Sequence, residues 1–167
     1  MVEKKAQFER LYDTHVDAIF NYLGYRLGNR ERARELTQEV FMRVWQHIVS
    51  EKPIEYEKAF LYTIAKRLFI NEIRVPEKTF SLDLMQEETA FDIPDHTDKT
   101  ESSAETAELW QAVATLSPPV QELMRLRYHD GLSVQEIAQL FEAKENTISM
   151  RISRAIEQLQ KVYSGTI

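Results

Sequence analysis

Residues 132–159 read LSVQEIAQLFEAKENTISMRISRAIEQL, and this stretch decides the fold of the second half of the chain. Ser133 precedes Glu136 by three residues, which is the spacing of a capping box at the start of a helix. A short helix is expected from there, and a longer one from about residue 146, after a tight turn. Apolar residues recur at helical spacing in both helices: Ile137, Ala138, Leu140, Ile148, Ile152, Ala155, Ile156 and Leu159. Two such helices joined by a tight turn predict a helix-turn-helix.

The other faces of the longer helix carry mostly short polar side chains and two arginines. These candidate DNA-contacting residues are Asn146, Thr147, Ser149, Met150, Arg151, Ser153 and Arg154. Such side chains can enter the major groove of DNA, where arginine hydrogen-bonds to guanine edges and to phosphates. The same pattern fits an ordinary helical hairpin with a solvated face, and periodicity alone does not separate the two.

The rest of the chain also shows helical periodicity. Apolar residues repeat every three or four positions over residues 8–27, 31–48, 57–74, 105–116 and 118–128. The expected buried residues in the third of these segments are Phe60, Leu61, Ile64, Ala65, Leu68 and Ile73, and in the fourth Leu109, Val113 and Leu116. Pro76 ends the third segment, because the residue before a proline is pushed out of the helical region. No segment alternates with a period of two, so the sequence predicts an all-α protein.

The acidic charge of the chain is concentrated in its middle. The whole sequence has a formal net charge of −6, yet residues 76–106 alone hold nine acidic and two basic residues. With two prolines and no sustained helical stripe, this segment is expected to be a flexible acidic linker between helical domains at residues 1–75 and 107–167. It could act as a plain tether or as an acidic strand mimic that docks through Phe80, Leu82, Leu84, Met85, Phe91 and Ile93.

Catalysis finds little support in the sequence. The chain has no cysteine, so disulfides and thiol nucleophiles are excluded, and its four histidines are scattered. Neither a phosphate-binding glycine loop nor a nucleophile motif is present. No metal and no cofactor are expected, and the chain is predicted not to be an enzyme. Because no apolar run resembles a signal peptide or a membrane span, a cytoplasmic protein is expected.

Both halves resemble one protein family. The segment from residue 109 to residue 159 is similar to region four of bacterial sigma factors of the extracytoplasmic-function (ECF) group, through its Leu116-Ser117-Pro118-Pro119, Leu126-Arg127-Tyr128 and Gly131-Leu132-Ser133 landmarks. RARELTQEVFMRVW, residues 32–45, resembles the polymerase-binding helix of region two. AFLYTIAKRLFINEIR, residues 59–74, resembles its promoter-melting helix. Two independent resemblances in the family's order are more specific than either alone.

The resemblance implies a sigma factor that directs core RNA polymerase to promoters and assists melting of promoter DNA. It implies two contacts with the polymerase, at the β′ clamp and the β flap, and contacts with two promoter elements. Whether an anti-sigma protein sequesters the chain, including at a membrane, is left open, and so is the promoter sequence. Two alternatives stand beside this interpretation: a stand-alone helix-turn-helix regulator, and a polymerase-binding adaptor without DNA contact.

The resemblance also assigns residues to the polymerase and to the downstream promoter element. The residues that match the polymerase-binding surface are Glu35, Gln38, Glu39, Phe41 and Trp45. Phe41 and Trp45 border the buried stripe of their helix, so core packing explains them equally well. The residues that match the downstream promoter surface are Tyr62, Lys66, Arg67, Asn71 and Arg74.

Three departures from the family pattern stand out. Arg67 and Asn71 replace the usual Asn and Asp, which makes the strand-facing helix more positive. Glu142 replaces the common glycine of the turn, and Ser149-Met150 replaces a frequent basic–serine pair. The preferred downstream promoter sequence is therefore expected to be unusual, and the upstream sequence does not follow from these residues.

Overall fold

The computed structural model describes residues 1–74 and 104–165, and every regular element in these ranges is a helix. The predicted all-α class is confirmed for them. They fall into two compact units, and each is described by itself. The predicted linker, residues 76–106, lies outside the described residues apart from its last three, which open the first helix of the second unit. No helix in the described ranges is long and apolar enough to span a membrane.

The first unit is a bundle of three helices: α1 (Val2–Leu27), α2 (Arg30–Val49) and α3 (Glu57–Ile73). The reversal between α1 and α2 takes two residues. Gly28 has a left-handed backbone (φ 63°) and its N–H donates to the carbonyl of Gly24, which closes α1. The Asn29 side chain accepts from the N–H of Arg32 at 3.1 Å, which caps α2. This chain reversal sets α2 antiparallel to α1.

One stripe of each helix fills the core of the first unit. The buried residues are Leu11, Ile19, Tyr22, Leu23, Ala33, Leu36, Val40, Phe41, Val44, Ile48, Ala59, Leu61, Tyr62, Ile64, Ala65 and Leu68. Four of the six residues expected to be buried in α3 are among them. Phe60 and Ile73 are only half-buried, because they lie near the two ends of the helix.

The second unit contains α4 (Ala104–Val113), α5 (Pro118–Met124), α6 (Val134–Phe141) and α7 (Glu145–Tyr163). The prediction of one continuous α-helix over residues 118–128 is wrong at its end, since a π-helical turn at Arg125–His129 follows α5. There the N–H of Asp130 donates to the carbonyl of Arg125 at 2.9 Å, one residue further back than in an α-helix. The prediction that Leu109 is buried is also wrong, because its side chain is 42% exposed on α4.

The helix-turn-helix lies where the sequence predicts it. Ser133 and Glu136 form the capping box: the Ser133 hydroxyl accepts from the Glu136 N–H at 3.1 Å, and the Glu136 carboxylate accepts from the Ser133 N–H at 2.7 Å. Glu142 itself takes the left-handed conformation of the turn, with φ 52° and ψ 40°. The N–H of Ala143 then donates to the carbonyl of Ala138 at 2.9 Å. The turn therefore keeps the backbone that glycine would provide, at a steric cost.

Replacing Glu142 with glycine is expected to stabilise the second unit by about 0.5–1 kcal/mol. Glycine adopts a positive φ without the clash of a Cβ, and this gain exceeds its extra freedom in the unfolded chain. Urea unfolding followed by circular dichroism measures the change. Gln139→Gly, at an exposed position inside α6, is the control and should destabilise by about 1 kcal/mol. A Glu142→Gly protein no more stable than its parent would contradict the strain at this turn.

Candidate functional site

The aromatic residues of α2 pack against α1. Phe41 lies edge-on to Tyr12, with ring centroids 4.9 Å apart, and Trp45 lies edge-on to Phe8 at 5.5 Å. Phe41 is 2% exposed, whereas Trp45 is half-buried. Core packing therefore accounts for Phe41. Its side chain is not exposed, so the expected direct contact between Phe41 and polymerase is not supported. Trp45 keeps part of its ring at the surface.

The outward face of α2 is a shallow, mostly polar depression. It is lined by Arg32, Glu35, Gln38, Glu39, Met42, Arg43 and Gln46. Glu35, Gln38 and Glu39 of the predicted polymerase set therefore lie together here. Met42 was missed by the sequence interpretation, and its side chain is 59% exposed. The signal was available: Met42 follows Val40 by two residues, about 200° around the helix and away from the buried stripe.

Ion pairs order the charged side chains of this face. The Arg43 guanidinium donates to the Glu39 carboxylate at 2.8 Å, one helical turn away. Arg32 donates through Nη1 to Glu35 at 2.6 Å, and through Nε and Nη2 to the two oxygens of Glu72 on α3 at 2.6 and 2.7 Å. The α2 face and the end of α3 thus share one guanidinium.

The predicted downstream promoter residues of α3 do not all lie at the surface. Arg67, Asn71 and Arg74 are exposed, and Lys66 is half-buried. Tyr62 is fully buried, with its ring edge-on to that of Tyr22 at 5.1 Å. Its assignment as a DNA contact is corrected: the position lies on the apolar stripe with Leu61 and Ala65, so its aromatic ring belongs to the core.

The predicted recognition residues of α7 are presented outward. Thr147 is half-buried, and the other six are exposed: Asn146, Ser149, Met150, Arg151, Ser153 and Arg154. The buried side of the helix consists of Ile148, Ile152, Ala155 and Leu159. Neither arginine forms an ion pair within residues 1–74 and 104–165.

Two bidentate ion pairs between helices shift the pKa values of carboxyl groups in the first unit. Hydrogen bonding from Arg32 lowers the pKa of Glu72, and hydrogen bonding from Arg10 lowers the pKa of Glu57. A hydrogen bond and Coulombic attraction from Lys4 lower the pKa of Glu51 in the same way. The Arg10–Glu57 and Arg32–Glu72 pairs hold the start and the end of α3 against its neighbours. In the described ranges, no group of His, Asp and Glu could hold a metal ion.

Two family regions match this chain in order. Residues 11–78 match sigma-70 region 2, and residues 106–159 match sigma-70 region 4. The chain therefore belongs to the sigma-70 family.

Relatives in two bacteria are RNA polymerase sigma factors, and the first of them is an ECF sigma factor, which places this chain in the ECF group. The ECF RNA polymerase sigma factor BldN of Streptomyces coelicolor is 32% identical over 162 residues, which make up 93% of this chain and 60% of BldN. The RNA polymerase sigma factor YlaC of Bacillus subtilis is 27% identical over 164 residues, 96% of this chain and 94% of YlaC. The chain thus spans less than two thirds of BldN but nearly all of YlaC.

The fold is also similar to that of a solved structure. The sigma factor RpoE, in complex with the anti-sigma factor NepR from Bartonella quintana, matches with a TM-score of 0.61 and 20% identity. The match covers 95% of this chain and 97% of that one. At this identity the match shows a similar helical fold.

The first unit is expected to lose stability as the pH falls below about 4.5, the usual pKa of glutamate. Glu57 and Glu72 have lower pKa values when folded, so the unfolded chain binds more protons in this range. Their contribution is full above pH 4.5 and is lost as the pH falls through their folded values. Thermal unfolding from about pH 6 to about pH 3 measures the slope. The Glu57→Gln/Glu72→Gln protein should show a shallower slope, and an unchanged slope would contradict the assignment.

Proposed function

We propose that this chain is an RNA polymerase sigma factor that binds core enzyme through the outward face of α2 and contacts promoter DNA through α3 and α7. The observation that carries the proposal is that regions 2 and 4 of one family match a single chain in order. The positions of the side chains support it, since Gln38, Arg67 and Arg154 are all exposed. In this role the chain supplies binding and no catalytic group.

In the proposed mechanism, α7 lies in the major groove of the upstream promoter element. The apolar stripe of α7 packs on its own unit, which leaves Ser153 and Arg154 free to face DNA. Arginine forms bidentate hydrogen bonds with the O6 and N7 of guanine and also pairs with phosphates. Met150, which is 53% exposed, offers an apolar contact of the kind that thymine methyl groups accept.

At the downstream element, Arg67 and Asn71 of α3 would meet DNA. They are spaced four residues apart and both are exposed, so they share one side of the helix. Arg67 can contact a phosphate, and Asn71 can hydrogen-bond to the exposed edge of an unpaired base. Because Tyr62 is buried, polar side chains rather than this ring would carry the contact.

A stand-alone regulator and a DNA-free adaptor differ from a sigma factor in a single assay. Run-off transcription from genomic fragments by purified core enzyme should start at defined sites only when the chain is added. A stand-alone regulator would bind duplex DNA tightly without polymerase, and an adaptor would not change the sites of initiation. An anti-sigma protein is a further proposed partner, on the analogy of the RpoE–NepR complex.

Changing Gln38 to Ala together with Glu39 to Lys is expected to abolish binding to core polymerase. The pair lies on the outward face of α2, where Glu39 pairs with Arg43, and the lysine reverses the charge there. Pull-down of core enzyme and circular dichroism give the two readouts, with helicity unchanged. Asn21→Ala with Asp17→Lys makes closely similar changes at exposed positions of α1 and should bind normally. Normal binding by the α2 variant would remove this face from the proposal.

Arg154→Ala is expected to weaken promoter-specific transcription by about 1–3 kcal/mol in apparent affinity if its contact is bidentate to a base. Transcription by the reconstituted holoenzyme, titrated with promoter over a series of salt concentrations, measures the loss. Lys161→Ala removes a positive charge from the last turn of the same helix and should leave the affinity near that of the parent. Equal transcription by the Arg154→Ala and parent proteins at every salt concentration would argue against DNA reading by α7.

A further inference from the structure

The end of α3 is only partly held by apolar packing, since its last apolar residues, Phe69, Ile70 and Ile73, are half-buried. Leu68 is the last fully buried residue of the helix, and Asn71 and Arg74 lie beyond it. The helix stops at Ile73, where the next residue turns extended (φ −70°, ψ 118°). The position of Asn71 and Arg74, two of the exposed residues predicted to meet the downstream promoter element, therefore depends on more than the core.

The Arg32 guanidinium provides an ion pair between α2 and this end of α3. Its Nε and Nη2 donate to both oxygens of Glu72, and its Nη1 donates to Glu35 on the α2 face. Glu72 adjoins Asn71 in sequence, about 100° around the helix, so it can be held by α2 while Asn71 faces away. A fork with two parallel hydrogen bonds fixes orientation as well as distance.

Each partner alone is in an unfavourable electrostatic position. Arg32 is the third residue of α2, where the helix dipole disfavours a positive charge. Glu72 is the next-to-last residue of α3, where the dipole disfavours a negative charge. The antiparallel packing of these helices brings the two together, and each offsets the other. The low pKa of the Glu72 carboxyl, caused first by its hydrogen bond with Arg32, agrees with this.

We infer that Arg32 is a positioning residue for promoter binding: by gripping Glu72 it orients Asn71 and Arg74 at the end of α3, and through Glu35 it links that orientation to the polymerase-binding face. The inference rests on the proposed function. It predicts that removing the Glu72 carboxylate changes promoter affinity in the opposite direction from removing an ordinary acidic residue near DNA. An unheld carboxylate there would repel the phosphates, so its removal would strengthen binding. Removal of a positioning carboxylate weakens binding.

The chain offers a matched control pair. Arg10 and Glu57 also form a bidentate ion pair between helices, with distances of 3.0 and 2.5 Å. Their side chains are 56% and 32% exposed, compared with 40% and 30% for Arg32 and Glu72. Glu57 lies in the first turn of α3, at the opposite end from Asn71. Glu57→Gln therefore removes a similar bond from the same helix without touching the end proposed to meet DNA.

A DNA fragment on which the parent holoenzyme initiates transcription is first identified by mapping transcript starts on genomic DNA. The test then measures the affinity of each holoenzyme for this fragment. Glu72→Gln is expected to lower promoter affinity roughly fivefold, with core binding unchanged and a shift in unfolding midpoint no larger than that of Glu57→Gln. Glu57→Gln should leave promoter affinity at the parent value. Arg32→Lys keeps the charge but loses the fork, and combining it with Glu72→Gln should weaken promoter binding no further than Glu72→Gln alone.

Three outcomes would overturn the inference. One is stronger or unchanged promoter binding by Glu72→Gln, another is an equal loss with Glu57→Gln, and the third is additive losses in the double variant. If no fragment supports initiation by the parent holoenzyme, the proposed function fails instead. The two failures are therefore told apart by the parent protein in the same experiment.

Discussion

The burial of one stripe of α2 between α1 and α3 is the constraint on which the first unit depends. Leu36, Val40 and Val44 recur every four residues and are almost completely buried. Since a helix turns through 3.6 residues, this stripe leaves the opposite side of α2 to solvent. The position of Gln38, Glu39 and Met42 is therefore a geometric consequence of the core. A partner that binds them binds a surface that the core holds rigid.

The same division explains which parts of the site could be predicted from sequence. The polar residues of α7 and the exposed half of α2 were predicted correctly as surface, because their apolar neighbours fix the side that is buried. Residues on the border of a stripe were not resolved by spacing: Phe41 and Tyr62 are buried, whereas Trp45 is half-buried. An aromatic ring fits either a core or an interface, and only packing against Tyr12 or Tyr22 decides.

Backbone details were less predictable than the order of the helices. The capping box at Ser133 follows from a local pairing of side chain and backbone, so three residues of sequence suffice to predict it. The π-helical turn at Arg125–His129 has no such local signature, and it was missed. Glu142 stands where glycine is common in the family, yet the packing of α6 against α7 keeps the left-handed turn. The predicted linker lies outside the described residues.

The near balance of basic and acidic residues in the first unit helps explain why such a protein would need polymerase to bind DNA tightly. The unpaired arginines of the recognition helix are only two, and several basic residues of the first unit are already engaged by glutamates, as Arg10, Arg32 and Arg43 are. Over residues 1–75 the thirteen basic residues are nearly balanced by eleven acidic ones. Little net positive charge is therefore available to displace counterions from DNA, so the affinity of the chain for DNA by itself would be low. Under the proposed function, core enzyme supplies the remaining attraction. Sequence preference then comes from a few oriented side chains. For this preference, the position of the side chains at the helix ends matters more than the total charge.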